Sequence, residues 1–155
     1  MDQRFVSLYM DIAKRTARMS RAIRLNVGCV IVKDGRVISM SWNGTPAGWD
    51  NCCEDKVYDE SGQYFDGTGK YILVTKPEVL HAERNSLDKL AKGRESGNGA
   101  SLFVTHSPCL ECAKSIYGSG IAEVYYDTDY RSSDGIEFLK KCGIPVFKVT
   151  DSLTC

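Results

Sequence analysis

Apolar residues recur at near-helical spacing at the start of the chain, where Phe5, Leu8, Ile12, Ala13 and Met19 are separated by charged positions. This predicts an amphipathic helix over residues 3 to 19. The period then changes. VGCVIVKDGRVISMSW is an apolar, β-branched run, an Asp34-Gly35 pair and a second alternating run, which together predict a hairpin. Residues 43 to 78 are mostly polar and rich in Gly and Asp. They predict one long loop, and a loop of that length inside a compact domain usually carries function.

Beyond the loop, helical and strand patterns alternate. VLHAERNSLDKLAK reads as a helix and ASLFVT as a strand. CLECAKSIYGSG is a short helix closed by glycine, and AEVYYD a strand. SDGIEFLKKCG is a helix with a Ser/Asp start and a Gly stop, and PVFKV a last strand. The order α-β-β-α-β-α-β-α-β predicts an α/β fold. Its sheet would be mixed and five-stranded, with helices on both faces, the first two strands antiparallel and the later ones parallel.

Composition narrows the picture. At 155 residues the chain is most simply one domain, 1–155. Twenty Lys and Arg balance twenty Asp and Glu, so no basic field favours a polyanion, and nucleic acid is not an expected partner. No apolar stretch approaches a membrane span and the first residues carry no signal core, so the expected location is the cytoplasm. In that reducing setting seven cysteines are expected as thiols or metal ligands.

Candidate chemistry gathers in two short stretches. SPCLECAK places Cys109 and Cys112 three apart, on one face of a helical first turn, with Pro108 suited to the helix start. Alone, a CxxC is half of a structural zinc site, a redox pair or two core cysteines. There is no second CxxC, and the adjacent Cys52-Cys53 pair places both sulfurs on one ion less easily. The motif also lies late in the chain for a thioredoxin-like redox pair. A three-ligand set remains, Cys109, Cys112 and His81, because His81 and Cys109 begin helices that flank one strand. Zinc held this way keeps a fourth position for water. Glu83, two residues beyond His81, is placed to shuttle that water's proton without being a ligand. His106 ends a strand and is expected in the pocket wall. A 5′-phosphate needs cations or N–H donors, and Lys114, Arg24 and Asn26 are candidates, with Arg21 behind them. Tyr126 and Tyr130 follow a strand near the same place and could pack on a base.

H-x-E followed by P-C-x-x-C is a signature of zinc nucleobase deaminases. Through it the chain resembles the cytidine/deoxycytidylate deaminase superfamily over nearly its whole length. NGTPAGWDNC ahead of HAE and SPCLECAK is most similar to the deoxycytidylate deaminases, including phage-encoded ones, whose setting would be the host cytoplasm. The resemblance implies a cytidine-deaminase-like three-layer fold. It also implies hydrolysis of dCMP to dUMP and ammonia by attack at carbon 4, with Glu83 protonating ring nitrogen 3 and then the leaving amine. The product would supply thymidylate synthesis. Backbone at Ala82 and Ser107 would hold the pyrimidine edge, and Asn43 the sugar. The same resemblance implies a homohexamer activated by dCTP and inhibited by dTTP, with Mg2+ on the triphosphate. Gly44, Gly48 and Asn51 mark the loop where that effector is expected.

Other readings stand beside this one. Enzymes of the same chemistry act on a free nucleoside, a nucleoside triphosphate, guanine, a riboflavin precursor or RNA. A zinc-stabilised binding module would have no use for Glu83. A redox protein would cycle Cys109 and Cys112 without metal.

Overall fold

A computed structural model describes residues 1–58 and 71–149. Helix α1 spans Gln3–Ala17, with the Asp2 side chain capping it at the Arg4 N–H. Strands β1 (Gly28–Lys33) and β2 (Arg36–Trp42) form the expected hairpin. Its two turn residues, Asp34 and Gly35, both have positive φ, as a tight hairpin turn of this hand demands. After the long segment come α2 (Ala82–Ala91), a strand at Ser101–His106, α3 (Leu110–Gly118), a strand at Glu123–Thr128, α4 (Asp134–Lys141) and a final short strand at Val146–Lys148.

The segment expected to be one loop contains two strands, β3 (Glu54–Val57) and β4 (Ile72–Thr75), paired antiparallel as a separate ribbon. The three later strands are therefore β5, β6 and β7. The ribbon escaped the pattern because each strand is four residues long, and β3 reads Glu-Asp-Lys-Val with no apolar run. Its stability comes from partners far away in sequence. Residues 59 to 70 of the same segment, and the end of the chain from 150, lie outside the described residues.

The main sheet has the order β2-β1-β5-β6-β7. The β1–β2 and β1–β5 pairs are antiparallel, while β5–β6 and β6–β7 are parallel. It is mixed and five-stranded, as expected. Both faces are covered, which is why β1 and β5 are buried along almost their whole length. On one face Val6, Met10 and Ala13 of α1 pack on Val30, Val32 and Phe103. On the other, residues from α2, α3 and α4, including Leu87, Ile116 and Leu139, pack on Ile31, Leu102 and Val104. The starts of α2 and α3 come together beside the end of β5. Among the described residues no helix is long and apolar enough to cross a membrane.

Candidate active site

His81 is the N-cap residue of α2 and Cys109 that of α3. Both have extended backbone, and neither side chain makes the usual capping hydrogen bond. Their donor atoms are thus free for another partner. Cys112 lies in the first turn of α3, buried. His81 Nδ1 is 3.6 Å from Cys109 Sγ and 3.4 Å from Cys112 Sγ. All three donor atoms lie within 4.8 Å of one another. Ordinary zinc–nitrogen and zinc–sulfur bond lengths in a tetrahedron put nitrogen and sulfur about 3.6 Å apart. The donor set and its spacing therefore fit zinc, with one position left for a small ligand. Cys52 and Cys53 join no such cluster among the described residues.

One backbone feature holds each side of the cluster. Gly44 exchanges a pair of hydrogen bonds with Leu80, at 3.1 and 2.9 Å, next to His81. This gives Gly44 a structural task that its Gly-rich context did not suggest. On the cysteine side, α4 presses on the turn that carries Cys109. A Cβ built on Gly135 would lie 2.0 Å from the Pro108 carbonyl oxygen and 2.9 Å from the Cys109 carbonyl carbon. Gly135→Ala must push that turn away. We expect it to cost about 1–3 kcal/mol and to weaken zinc retention, measured by unfolding and by chelator competition. Unchanged stability and zinc retention would show that the turn has room to move.

Charge in the cluster is divided unequally without metal. The hydrogen bond from Cys112, and then that from His81, lowers the Cys109 pKa to about 3. Sharing a proton with Cys109, and then burial, pushes the Cys112 thiol well up. Hydrogen bonding to Cys109 raises the His81 pKa. In metal-free protein at neutral pH, iodoacetamide should label Cys109 and spare Cys112, and zinc should protect both. Peptide mass spectrometry reads this directly; equal labelling of the two would contradict it.

Glu83 lies in the first turn of α2 and is only 4 % exposed. Burial raises its carboxyl pKa above the ordinary range. It shares with His81 and Cys109 a cleft that opens to solvent, about 600 Å³ counting the open mouth. A buried carboxyl beside a three-donor metal site is placed to accept and return a proton.

The remaining expected residues divide by position. Ala82, Ser107, Asn43, Tyr130 and His106 line the cleft. As the first residue of α2, Ala82 offers an amide with no intrahelical acceptor. Ser107 has already spent its N–H on Thr128, while its hydroxyl accepts the Tyr130 N–H at 2.8 Å. Asn43 donates to the Leu25 carbonyl at 2.9 Å and accepts from the Val27 N–H at 2.8 Å, so it also pins the segment before β1. Arg24 stands just outside, donating at 3.1 Å to Thr75 Oγ1, which lines the cleft.

Three expectations need correction. Lys114 does not line the cleft: it is half exposed on α3 and paired with Glu111 at 2.6 Å, because its neighbours Cys112 and Ala113 take the inward face. Asn26 spends its amide on the carbonyls of Ser20 and Ala22. Tyr126 is a core residue, 8 % exposed and outside the cleft lining, since β6 directs it beneath α3 and α4. Of the loop residues, Gly44 and Asn51 line a second cavity, about 610 Å³ counting its open mouth, and Gly48 lines neither; Arg21, expected behind the phosphate cations, lines that second cavity and not the cleft.

Sequence reasoning missed Glu54. It is 6 % exposed, lines the cleft, and accepts the N–H groups of Ile23 and Arg24 at 2.9 and 3.2 Å. No local signal marked it, because its partners lie some thirty residues away. Arg131 was also passed over; its guanidinium stands 5.7 Å from the centre of the Tyr130 ring.

The chain is similar to known proteins over most of its length. The family model for the cytidine and deoxycytidylate deaminase zinc-binding region matches residues 3–128. The deoxycytidylate deaminase of Enterobacteria phage T4 is 32% identical, over 92% of this chain and 89% of its own length. That of Saccharomyces cerevisiae is 36% identical over 90% of this chain, which spans only 43% of the yeast protein. A solved structure of dCMP deaminase from the cyanophage S-TIM5, in complex with dCMP and dUMP, superposes with a TM-score of 0.82. It is 41% identical, over 96% of this chain and 99% of that one. A match over most of the chain, on a fold that assembles one histidine and two cysteines beside a buried glutamate, means that this protein belongs to the zinc-dependent cytidine and deoxycytidylate deaminase family.

Proposed function

We propose that this chain, as one deaminase domain, hydrolyses dCMP to dUMP and ammonia. The observation that carries the reading is Glu83, a buried carboxyl with no ion pair among the described residues, beside the His81–Cys109–Cys112 set and lining an open cleft. The likeness to phage dCMP deaminases supports the choice of substrate. Zinc held by His81, Cys109 and Cys112 would lower the pKa of a bound water to about 7. Glu83 would accept a proton from the attacking water and return it at ring nitrogen 3 of the base as oxygen adds to carbon 4. A second proton goes to the exocyclic amine, the C4–N bond breaks and ammonia leaves. One water is consumed for each dCMP.

The Ala82 amide is placed to hold the pyrimidine edge, and Asn43 to meet the sugar. Arg24 beside Thr75 and Arg131 above Tyr130, each next to a residue that lines the cleft, are candidate cations for the 5′-phosphate. The reading extends to regulation. A dCTP or dTTP effector, with Mg2+, would take the second cavity, where Arg21 supplies a positive charge. Exposed Phe5 and Leu8 on α1, with Val37 and Met40 on β2, offer apolar surface for assembly into a hexamer.

The test is ammonia release and product identity on zinc-quantified protein. The substrates are dCMP, dCTP, deoxycytidine and CMP, each with and without added dCTP and Mg2+. Conversion of dCMP to dUMP is expected, and stimulation by dCTP would support the effector site. Arg24→Ala should raise KM for dCMP about tenfold and leave that for deoxycytidine unchanged. Zinc near one per chain with no turnover of any of the four would sink the substrate assignment.

A further inference from the structure

The last two residues of β5 share a hydrogen whose place can be worked out. Thr105 is 5 % exposed. Its Oγ1 accepts the Gly28 N–H at 3.1 Å and lies 3.1 Å from His106 Nδ1. A hydroxyl carries one hydrogen of its own, and a buried one needs an acceptor. The Gly28 amide cannot serve, because it is itself a donor. Among the described residues, the acceptor within reach is His106 Nδ1. Nδ1 is therefore bare, and the neutral ring carries its hydrogen on Nε2.

The environment keeps the ring neutral. Burial lowers the His106 pKa below the ordinary value, and Asp127, which pulls the other way, is paired with Lys14 at 2.8 Å. Nε2 has no hydrogen-bond partner among the described residues, and His106 lines the cleft. No lysine or arginine is among the described residues that line it. A phosphate brought in there meets neutral donors first.

We propose that Thr105 fixes His106 as an Nε2–H donor, and that this N–H binds an oxygen of the substrate's 5′-phosphate. This rests on the nucleotide reading above. His106 then helps to separate a nucleotide from its nucleoside, a task the sequence pattern would give to a cation.

The chain's two histidines make the test direct. In zinc-loaded protein labelled with 15N-histidine, His106 should show an unprotonated Nδ1 and a protonated Nε2. Addition of dCMP or inorganic phosphate should shift the Nε2–H signal, and deoxycytidine should not. Thr105→Val should mix the tautomers and Thr105→Ser restore the single form. His106→Ala should raise KM for dCMP about tenfold, the effect of losing one hydrogen bond to a charged group, and leave KM for deoxycytidine within about twofold. A protonated Nδ1, no response to either phosphate ligand, or an equal rise in both KM values would overturn the proposal. A phosphate response without dCMP turnover would instead remove the substrate reading and leave the donor in place.

Discussion

Replacing Glu83 with glutamine is expected to lower kcat for deamination by about two to four orders of magnitude, the usual worth of a positioned acid–base group. Glutamine keeps the size and one acceptor oxygen of glutamate but cannot carry a proton between water and base. Glu83 is 4 % exposed and its pKa is raised by burial. The neutral amide should therefore be held at least as easily as the acid, with folding and zinc content preserved. Three measurements belong together: turnover, zinc per chain and the unfolding midpoint. Full activity in Glu83→Gln would remove Glu83 from the mechanism. Lost activity together with lost zinc would recast it as a residue that supports the metal.

His81→Ala should lose zinc together with turnover. Zinc content should fall from about one per chain to a small fraction, because Cys109 and Cys112 alone leave half a tetrahedron empty. Turnover should fall to background. The fold should survive, since the two apolar clusters on either face of the sheet do not depend on the cluster. The midpoint should still drop, because a ligand that binds only the folded state stabilises it by mass action. Full zinc content in this variant would mean that a different donor set holds the metal.

Much of this protein was legible in its sequence because the signals are local. The Asp34-Gly35 turn, the alternating β2 and the helix starts at His81 and Cys109 are each set by a few neighbouring residues. The metal-ligand pattern was legible for the same reason, since one first turn carries both cysteines. Positions off the helix faces were read less well. Lys114 is two residues from a zinc ligand, but at that spacing α3 turns it to solvent beside Glu111.

By itself, then, the sequence determined the α/β order, the mixed five-stranded sheet and the chemical identity of the site. Periodicity and ligand spacing act over one or two turns of chain. The tertiary structure alone decided the β3–β4 ribbon, Glu54 against Ile23 and Arg24, Gly135 against the Cys109 turn, and the hydrogen that Thr105 gives to His106. Except for that last, adjacent pair, each joins residues far apart in the chain. Even there the acceptor is assigned only because Gly28, 77 positions away, has taken the other side of the hydroxyl. Hydrogen-bond and packing constraints of that kind exist only once the backbone has closed, so no local pattern can carry them.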